Sequence, residues 1–257
     1  MSPTAISVAD VPAIDHDEAM ALAATEYNRF AALLETLSVE DFRLPTDCTE
    51  WTVRDMVRHT LGTAEGSASI RENVHQLRAG RKWGKAHGRP MVDGIGAVQI
   101  AERSEIPDTE LAARYRAAFP RALKGRTQLP ALLRKNVRMT IEVPGITEKW
   151  RLGYLTDLIL TRDLWMHRVD ISRATGRDME LTAEHDGRIV AEIVAEWARR
   201  HGRPFTLNLE GPAGGTFTQC NANGDSWEEL TLDAVEFCRI LSVRASGTGL
   251  LTQEVPF

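Results

Sequence analysis

The sequence predicts an α+β protein: a four-helix N-terminal bundle spanning residues 10–176, followed by a smaller α+β domain over 177–257. Three observations carry that expectation. Four long stretches ahead of Gly176 repeat their apolar residues at spacings of three and four, the period of an amphipathic helix. Beyond Gly176 come short alternating stretches punctuated by Gly, Pro and Asn, the texture of strands and turns. A chain of 257 residues, 43% hydrophobic and 26% charged, is long enough to build two cores.

The first helix is expected over residues 16–38, where Ala23, Tyr27, Phe30, Leu34 and Leu37 form its stripe. "LSVEDFRLPTDCTEW" breaks that pattern with Pro45 and several capping residues. A second helix opens at Thr49 or Thr52, with Asp55 as an early acid, and runs to about Arg78 along Val53, Val57, Leu61, Ala64 and Ala68. The segment from Arg78 to Arg89, "RAGRKWGKAHGR", is rich in cations and glycines and reads as a mobile connection, either a solvated loop or a lid offering positive charge to an anion. A third helix opens near Asp108, with Pro120 as a kink near its end. "VRMTIEVPGITEKW" alternates and turns at Pro144-Gly145, a short hairpin. The fourth helix covers Tyr154 to Thr175 and is stopped by Gly176. In the second domain, "DMELTAEHDGRIVAEIVAEWARRHG" is a helix, "FTLNLEG", "GTFTQC" and "SWEELTL" are strands, and "DAVEFCRILSVRASG" is a last helix.

Composition excludes several classes of function. The net charge of −5 comes from 31 basic and 36 acidic residues that are interspersed, so no basic field for a phosphate backbone exists and nucleic acid is not an expected partner. No apolar run approaches a bilayer crossing, and the N-terminus lacks the cationic start and apolar middle of a signal peptide. A cytoplasmic protein without membrane contact is expected. Cys48, Cys220 and Cys238 are far apart and form no C-x-x-C, so neither disulfides nor a thiolate metal site is suggested, and each reads as a small packing residue.

The residues with the most to explain are "RDLWMHRVD", 162–170. Apolar residues surround this helix on nearly every side, the mark of a buried helix. Yet Asp163, His167 and Asp170 fall at i, i+4 and i+7 on one stripe. A carboxylate buried alone is too costly to persist, so each must be ion-paired, hydrogen-bonded, metal-bound or at a cavity wall. One reading is a salt-bridged set with Arg162, Arg168 or Arg173 around a core histidine. The other draws in His59, which lies opposite the apolar stripe of the second helix, among Asp55, Met56, Gly62, Thr63 and Gly66. If the second and fourth helices are neighbours, His59, Asp163 and His167 make two imidazoles and a carboxylate, the ligand set of an open zinc site or of a facial-triad iron site. Trp51 and Trp165 read as core fillers rather than substrate platforms.

"TDCTEWTVRDMVRHTLG" and "TRDLWMHRVDISRATGR" resemble the two signatures of the mycothiol-dependent maleylpyruvate isomerase family, a DinB-like metalloenzyme group of actinobacterial proteins, and the tail from Asp233 is similar to that family's sterol-carrier-protein-like C-terminal domain. The resemblance implies a divalent metal, usually zinc, held by His59, Asp163 and His167. The family pattern has Glu where this chain has Asp163, which leaves Asp170 as a substitute ligand or as the group orienting His167. It also implies that mycothiol brings the sulfur, activated as thiolate by the cation, so that no cysteine of the chain need be the nucleophile. The substrate would be a small electrophilic or anionic molecule, isomerised about a double bond or joined to the thiol. Arg81, Arg89 and Arg244 are expected to bind the cofactor's or substrate's polar groups, and Arg239, set among apolar residues in "EFCRIL", to act in catalysis. A non-catalytic metal or ligand-binding module is the reading of a different class. A monomer or homodimer is expected.

Overall fold

The computed structural model describes residues 5–143, 146–221 and 228–257. In chain order the elements are β1 (Ile6–Ser7), α1 (His16–Glu35), α2 (Val53–Ala68), α3 (Ile70–His87), α4 (Met91–Ala101), α5 (Asp108–Thr127), α6 (Ala131–Asn136), β2 (Arg138–Val143), β3 (Ile146–Arg151), α7 (Leu160–Thr175), α8 (Arg188–His201), β4 (Phe205–Glu210), β5 (Gly215–Gln219), β6 (Glu229–Asp233) and α9 (Ala234–Leu241). They divide into two compact units, Asp15–Asp178 and a second made of Met179–Phe257 with the N-terminal segment up to Ile14. The architecture is α+β, helical first and sheet-containing after, as the texture of the sequence predicts. No helix among the described residues is long and apolar enough to cross a membrane.

In the helical unit α2 packs on α5, α5 on α1, α1 on α7 and α7 on α2, the ring of a four-helix bundle. Its core is the expected stripes turned inward: Tyr27, Phe30 and Leu34 from α1, Val53, Val57 and Leu61 from α2, Leu111, Tyr115 and Phe119 from α5, Leu164 and Ile171 from α7. Asp15 caps α1 by accepting the amide of Glu18 at 2.9 Å. Thr52 and Asp55 form a reciprocal capping box that starts α2.

Two expectations fail here for a common reason. The second helix does not run to Arg78: it breaks at Ser69, whose extended backbone ends α2 and caps α3. The expected mobile connection 78–89 is instead the C-terminal half of α3, and it returns through α4, which nothing in the sequence reading marked as a helix. The glycines taken as breakers are contact points. A Cβ at Gly94 would lie 2.1 Å from the Gly80 carbonyl oxygen, and one at Gly80 would lie 2.7 Å from the Ile95 nitrogen, so α3 and α4 cross backbone to backbone. The helical hairpin α3–α4 lies against α2, outside the ring.

The hairpin β2–β3 forms as expected, antiparallel with Arg138 opposite Arg151; the turn at Pro144-Gly145 lies outside the described residues. A π-helical turn, Tyr154–Ile159, leads into α7. Buried Arg126 of α5 fastens this junction, donating from Nε to the Thr156 carbonyl at 2.9 Å and from Nη2 to Thr161 Oγ1 at 2.7 Å. A second buried tie sets the register of α7 on α1: Arg168 grips both carboxylate oxygens of Glu26 at 2.7 and 3.0 Å.

In the second unit the sheet order is β1-β5-β4-β6, with β4 antiparallel to β5 and parallel to β6. The N-terminal strand β1 joins it parallel to β5. Trp197 of α8 stands at the centre, in ring contact with Phe205 and Phe237. Its indole N–H donates to the Leu250 carbonyl at 3.1 Å.

Candidate metal centre

From Thr161 to Ser172 every residue of α7 except Asp163 is buried. Such a helix must resolve each polar side chain within the protein, and the ordinary expectation is pairing with nearby arginines. Two of those arginines are committed elsewhere. Arg168 pairs with Glu26, and Arg173 pairs with Asp47 at 2.9 Å. Asp163 instead faces two imidazoles. Its Oδ1 lies 3.2 Å from His167 Nε2 and its Oδ2 3.5 Å from His59 Nε2. The i, i+4 spacing brings Asp163 and His167 together, and the packing of α2 on α7 supplies His59.

The three donor atoms lie within 4.8 Å of one another. Two donors each about 2.0–2.1 Å from a tetrahedral ion sit about 3.3 Å apart, and the 3.2 and 3.5 Å separations, one to each oxygen of the carboxylate, are on that scale. His167 Nε2 is a buried atom with no hydrogen-bond partner among the described residues, its approach to Asp163 being an ion-pair contact outside hydrogen-bond geometry. A buried imidazole nitrogen without a hydrogen-bond partner suits a cation that takes the place of its proton. The residues present therefore fit a divalent metal.

Asp170 is fully buried and meets the other nitrogen of the same ring, its Oδ2 lying 3.3 Å from His167 Nδ1. It stands where a carboxylate orients a histidine rather than beside Asp163. Burial opposes charge on both members of the pair, but the interaction outweighs it. His167 is pushed up to about 9 by Asp163 and then Asp170, and Asp163 is held well below the usual carboxylate range by His167 and His59. A buried phenol lies near: burial first, then Tyr27, Glu26 and Asp163, hold Tyr115 well above its ordinary value.

Trp51 forms a wall. Its ring lies 4.8 Å from that of His59 and 5.8 Å from that of His167, and the two imidazoles meet edge to face at 5.2 Å. On the other side comes α4, where a Cβ at Gly96 would stand 3.1 Å from Trp51 Cζ2 and 3.8 Å from His59 Nδ1. Trp165, by contrast, is a fully buried core residue. Enclosure is uneven: the side chain of His167 is 4% exposed and that of Asp163 25%, so a small molecule has access at the carboxylate.

The arginines singled out from the sequence divide between the two units. Arg81 is exposed on α3. Arg89, between α3 and α4, pairs with Glu50 at 3.0 Å and Asp93 at 2.9 Å. Arg239 and Arg244 belong to the second unit, where buried Arg239 pairs with Glu236 and also donates to the Arg244 carbonyl. Sequence reasoning missed Arg126, Glu26 as the partner of Arg168, and the α4 residues beside His59. The only local signal for the last was Gly94-x-Gly96, read neither as helix nor as contact.

Residues 23–172 match the family model described as the mycothiol maleylpyruvate isomerase N-terminal domain. Two solved structures share the fold: the crystal structure of the mycothiol-dependent maleylpyruvate isomerase and that of a histidine-to-alanine mutant of it. Each has a TM-score of 0.57 and 14% identity, with 97% of both chains covered. No curated protein matches the chain.

Proposed function

Because the chain belongs to the mycothiol maleylpyruvate isomerase family, we propose that it is a metal-dependent enzyme that uses a low-molecular-weight thiol, mycothiol, to isomerise a small unsaturated acid about its double bond. The observation that carries the reading is the convergence of His59, Asp163 and His167 on one point, with a buried imidazole nitrogen that has no hydrogen-bond partner among the described residues. These three residues would hold the ion, and three protein ligands leave room for an exogenous one. A divalent cation held there would lower the pKa of a bound thiol and so supply a thiolate near neutral pH.

The chain's own residues do the rest. Asp163 supplies the negative charge of the ligand set, and its partial exposure marks the side from which small molecules arrive. Asp170 holds the His167 ring so that Nε2 faces Asp163. Trp51 packs against both imidazoles and keeps water off them. Mycothiol bound there would supply a thiolate for reversible addition to the activated double bond, which would permit rotation about that bond and release the thiol unchanged. No cysteine of the chain is needed: Cys48 packs against the bundle core, while Cys220 and Cys238 belong to the second unit.

Arg81, Arg89 and Arg244 remain the proposed cationic partners of substrate and thiol, and Arg239 the proposed catalytic arginine. Zinc is the proposed ion. A thiol S-transfer, in which the sulfur would stay on the product, is the second catalytic reading, and the aspartate at 163, where the family pattern has glutamate, is the feature that supports a non-catalytic binding module instead.

The test is protein purified without a metal-binding tag, its metal measured by mass spectrometry, and turnover followed on maleylpyruvate and a panel of electrophiles with and without mycothiol. One equivalent of zinc, lost in His59→Ala, with thiol-dependent isomerisation, supports the proposal. Sulfur retained in the product would identify the transferase. Iron in place of zinc would favour an oxygenase-type site, and zinc without any thiol-dependent turnover would leave a binding module.

A further inference from the structure

Beside the three converging residues lies a buried polar network that the proposed chemistry does not use. Gln76 of α3 and Gln99 of α4 are 4% and 3% exposed. Gln76 Nε2 donates to the Gly62 carbonyl at 2.9 Å and to Glu72 Oε1 at 2.8 Å, and Glu72 is in turn held by Arg103. Both of its partners are acceptors only, so the orientation of the Gln76 amide is fixed. Its oxygen must then face Gln99, whose Nε2 donates to it at 2.8 Å. That fixes the second amide as well. Gln99 Oε1 is left buried on the far side, an acceptor without a donor among the described residues.

A complementary atom lies one helical turn away. His59 presents Nε2 to Asp163, so with that nitrogen on a cation the proton resides on Nδ1, which then needs an acceptor. His59 Nδ1 is also buried without a hydrogen-bond partner among the described residues. The two atoms share the α2–α4 interface. A Cβ at Gly96 would be 3.8 Å from His59 Nδ1, while Gln99, one turn on, packs its Cγ 2.6 Å from where a Cβ at Gly62 would stand. Thr63, directly below His59 on α2, already contacts Gln99 Nε2 through its hydroxyl at 3.4 Å. Glycine at 62 lets the Gln99 side chain pack directly on the α2 backbone, and glycine at 96 keeps α4 close to His59.

Resting on the metal reading above, we infer that Gln99 is the positioning residue of His59: its Oε1 accepts the Nδ1–H through one buried water, which Thr63 Oγ1 also contacts. Three polar neighbours are what a buried water ordinarily has. The relay from Glu72 through Gln76 and Gln99 fixes the tautomer and rotation of His59, as Asp170 does for His167. Gln99 touches no substrate; it acts through the histidine.

The experiment pairs metal affinity with the protonation of one ring. In zinc-loaded wild type, long-range 1H–15N spectra should place the His59 proton on Nδ1, protected from exchange with water. Gln99→Met keeps the shape and removes the acceptor. It should weaken zinc binding, measured by chelator competition, about 10–100-fold, the usual effect of losing such a partner, and leave the Nδ1 proton in fast exchange. Gln76→Met breaks the same inter-helix contact and removes the group that orients the Gln99 amide but keeps the Gln99 acceptor itself, and should weaken binding by clearly less than Gln99→Met.

Equal losses in Gln99→Met and Gln76→Met would mean a merely structural role and overturn the inference, as would an unchanged Gln99→Met. Should Gln99→Met fail to fold, the wild-type spectrum decides: a protected Nδ1 proton supports the assignment, and a proton on Nε2 or an unprotected one overturns it. Wild-type protein that binds no zinc overturns the metal reading and this inference together; zinc bound through His59 with no response to Gln99 overturns this inference alone.

Discussion

Removing the metal should make the protein's stability fall as pH rises, through His167. In the metal-free fold that imidazole is raised from an ordinary 6.5 to about 9. A group whose pKa is higher folded than unfolded stabilises the fold fully below its unfolded value, and that contribution disappears as pH climbs through the folded value. The window is therefore about pH 6.5 to 9. At about 1.4 kcal/mol per pH unit the loss is at most about 3 kcal/mol, and the same ion pair lowers Asp163, so the two shifts are one interaction seen from its two ends. The assay is urea unfolding of chelator-stripped protein at pH 6.5 and 9.5, for wild type and for His167→Gln. Wild type should lose about 2–3 kcal/mol more than the variant across that interval. Equal slopes, or a wild type that gains stability with pH, would refute the coupling of His167 to Asp163 and Asp170. The proton has a second consequence. Metal uptake must expel it, so affinity for zinc should rise about tenfold per pH unit below 9.

Other outcomes follow from particular contacts. Asp170→Asn, which exchanges a buried carboxylate for an amide at His167 Nδ1, should weaken zinc binding about 10–100-fold while leaving the ligand set intact, as chelator competition will register. Gly94→Ala places a methyl 2.1 Å from the Gly80 carbonyl and should lower stability by about 1–3 kcal/mol in denaturant unfolding as α3 and α4 are forced apart. Arg126→Met strands the buried Thr156 and Thr161 oxygens and loosens the π-helical entry to α7; a loss of about 3 kcal/mol is expected, with a drop in metal affinity because α7 carries two of the three donors.

Much of the centre was legible because its chemistry is local on each helix. A buried segment with Asp163 and His167 four apart has to explain its charge, and the face of α2 with His59 and small residues advertises room. Their meeting was not legible from spacing, since it depends on the packing of α2 against α7, and only the family resemblance joined them. The buried cations were invisible for the same reason: Glu26 and Arg168 stand 142 positions apart, and neither spacing nor period connects them. The misreading of 78–89 has a different origin. Glycine punctuates loops, but it also permits backbones to touch, and Gly80, Gly84 and Gly94 serve the second purpose at the α3–α4 crossing. The N-terminal strand, two residues long, carries no period at all and gains its place only by pairing with β5.

The central claim is that residues 59, 163 and 167 hold one ion in common. Zinc-edge X-ray absorption of the tag-free protein tests it most directly. The account predicts two imidazole nitrogens and one carboxylate oxygen at about 2.0–2.1 Å, with one imidazole signature missing in His59→Gln and the other in His167→Gln. A spectrum without imidazole scattering, or one that neither substitution alters, would contradict it.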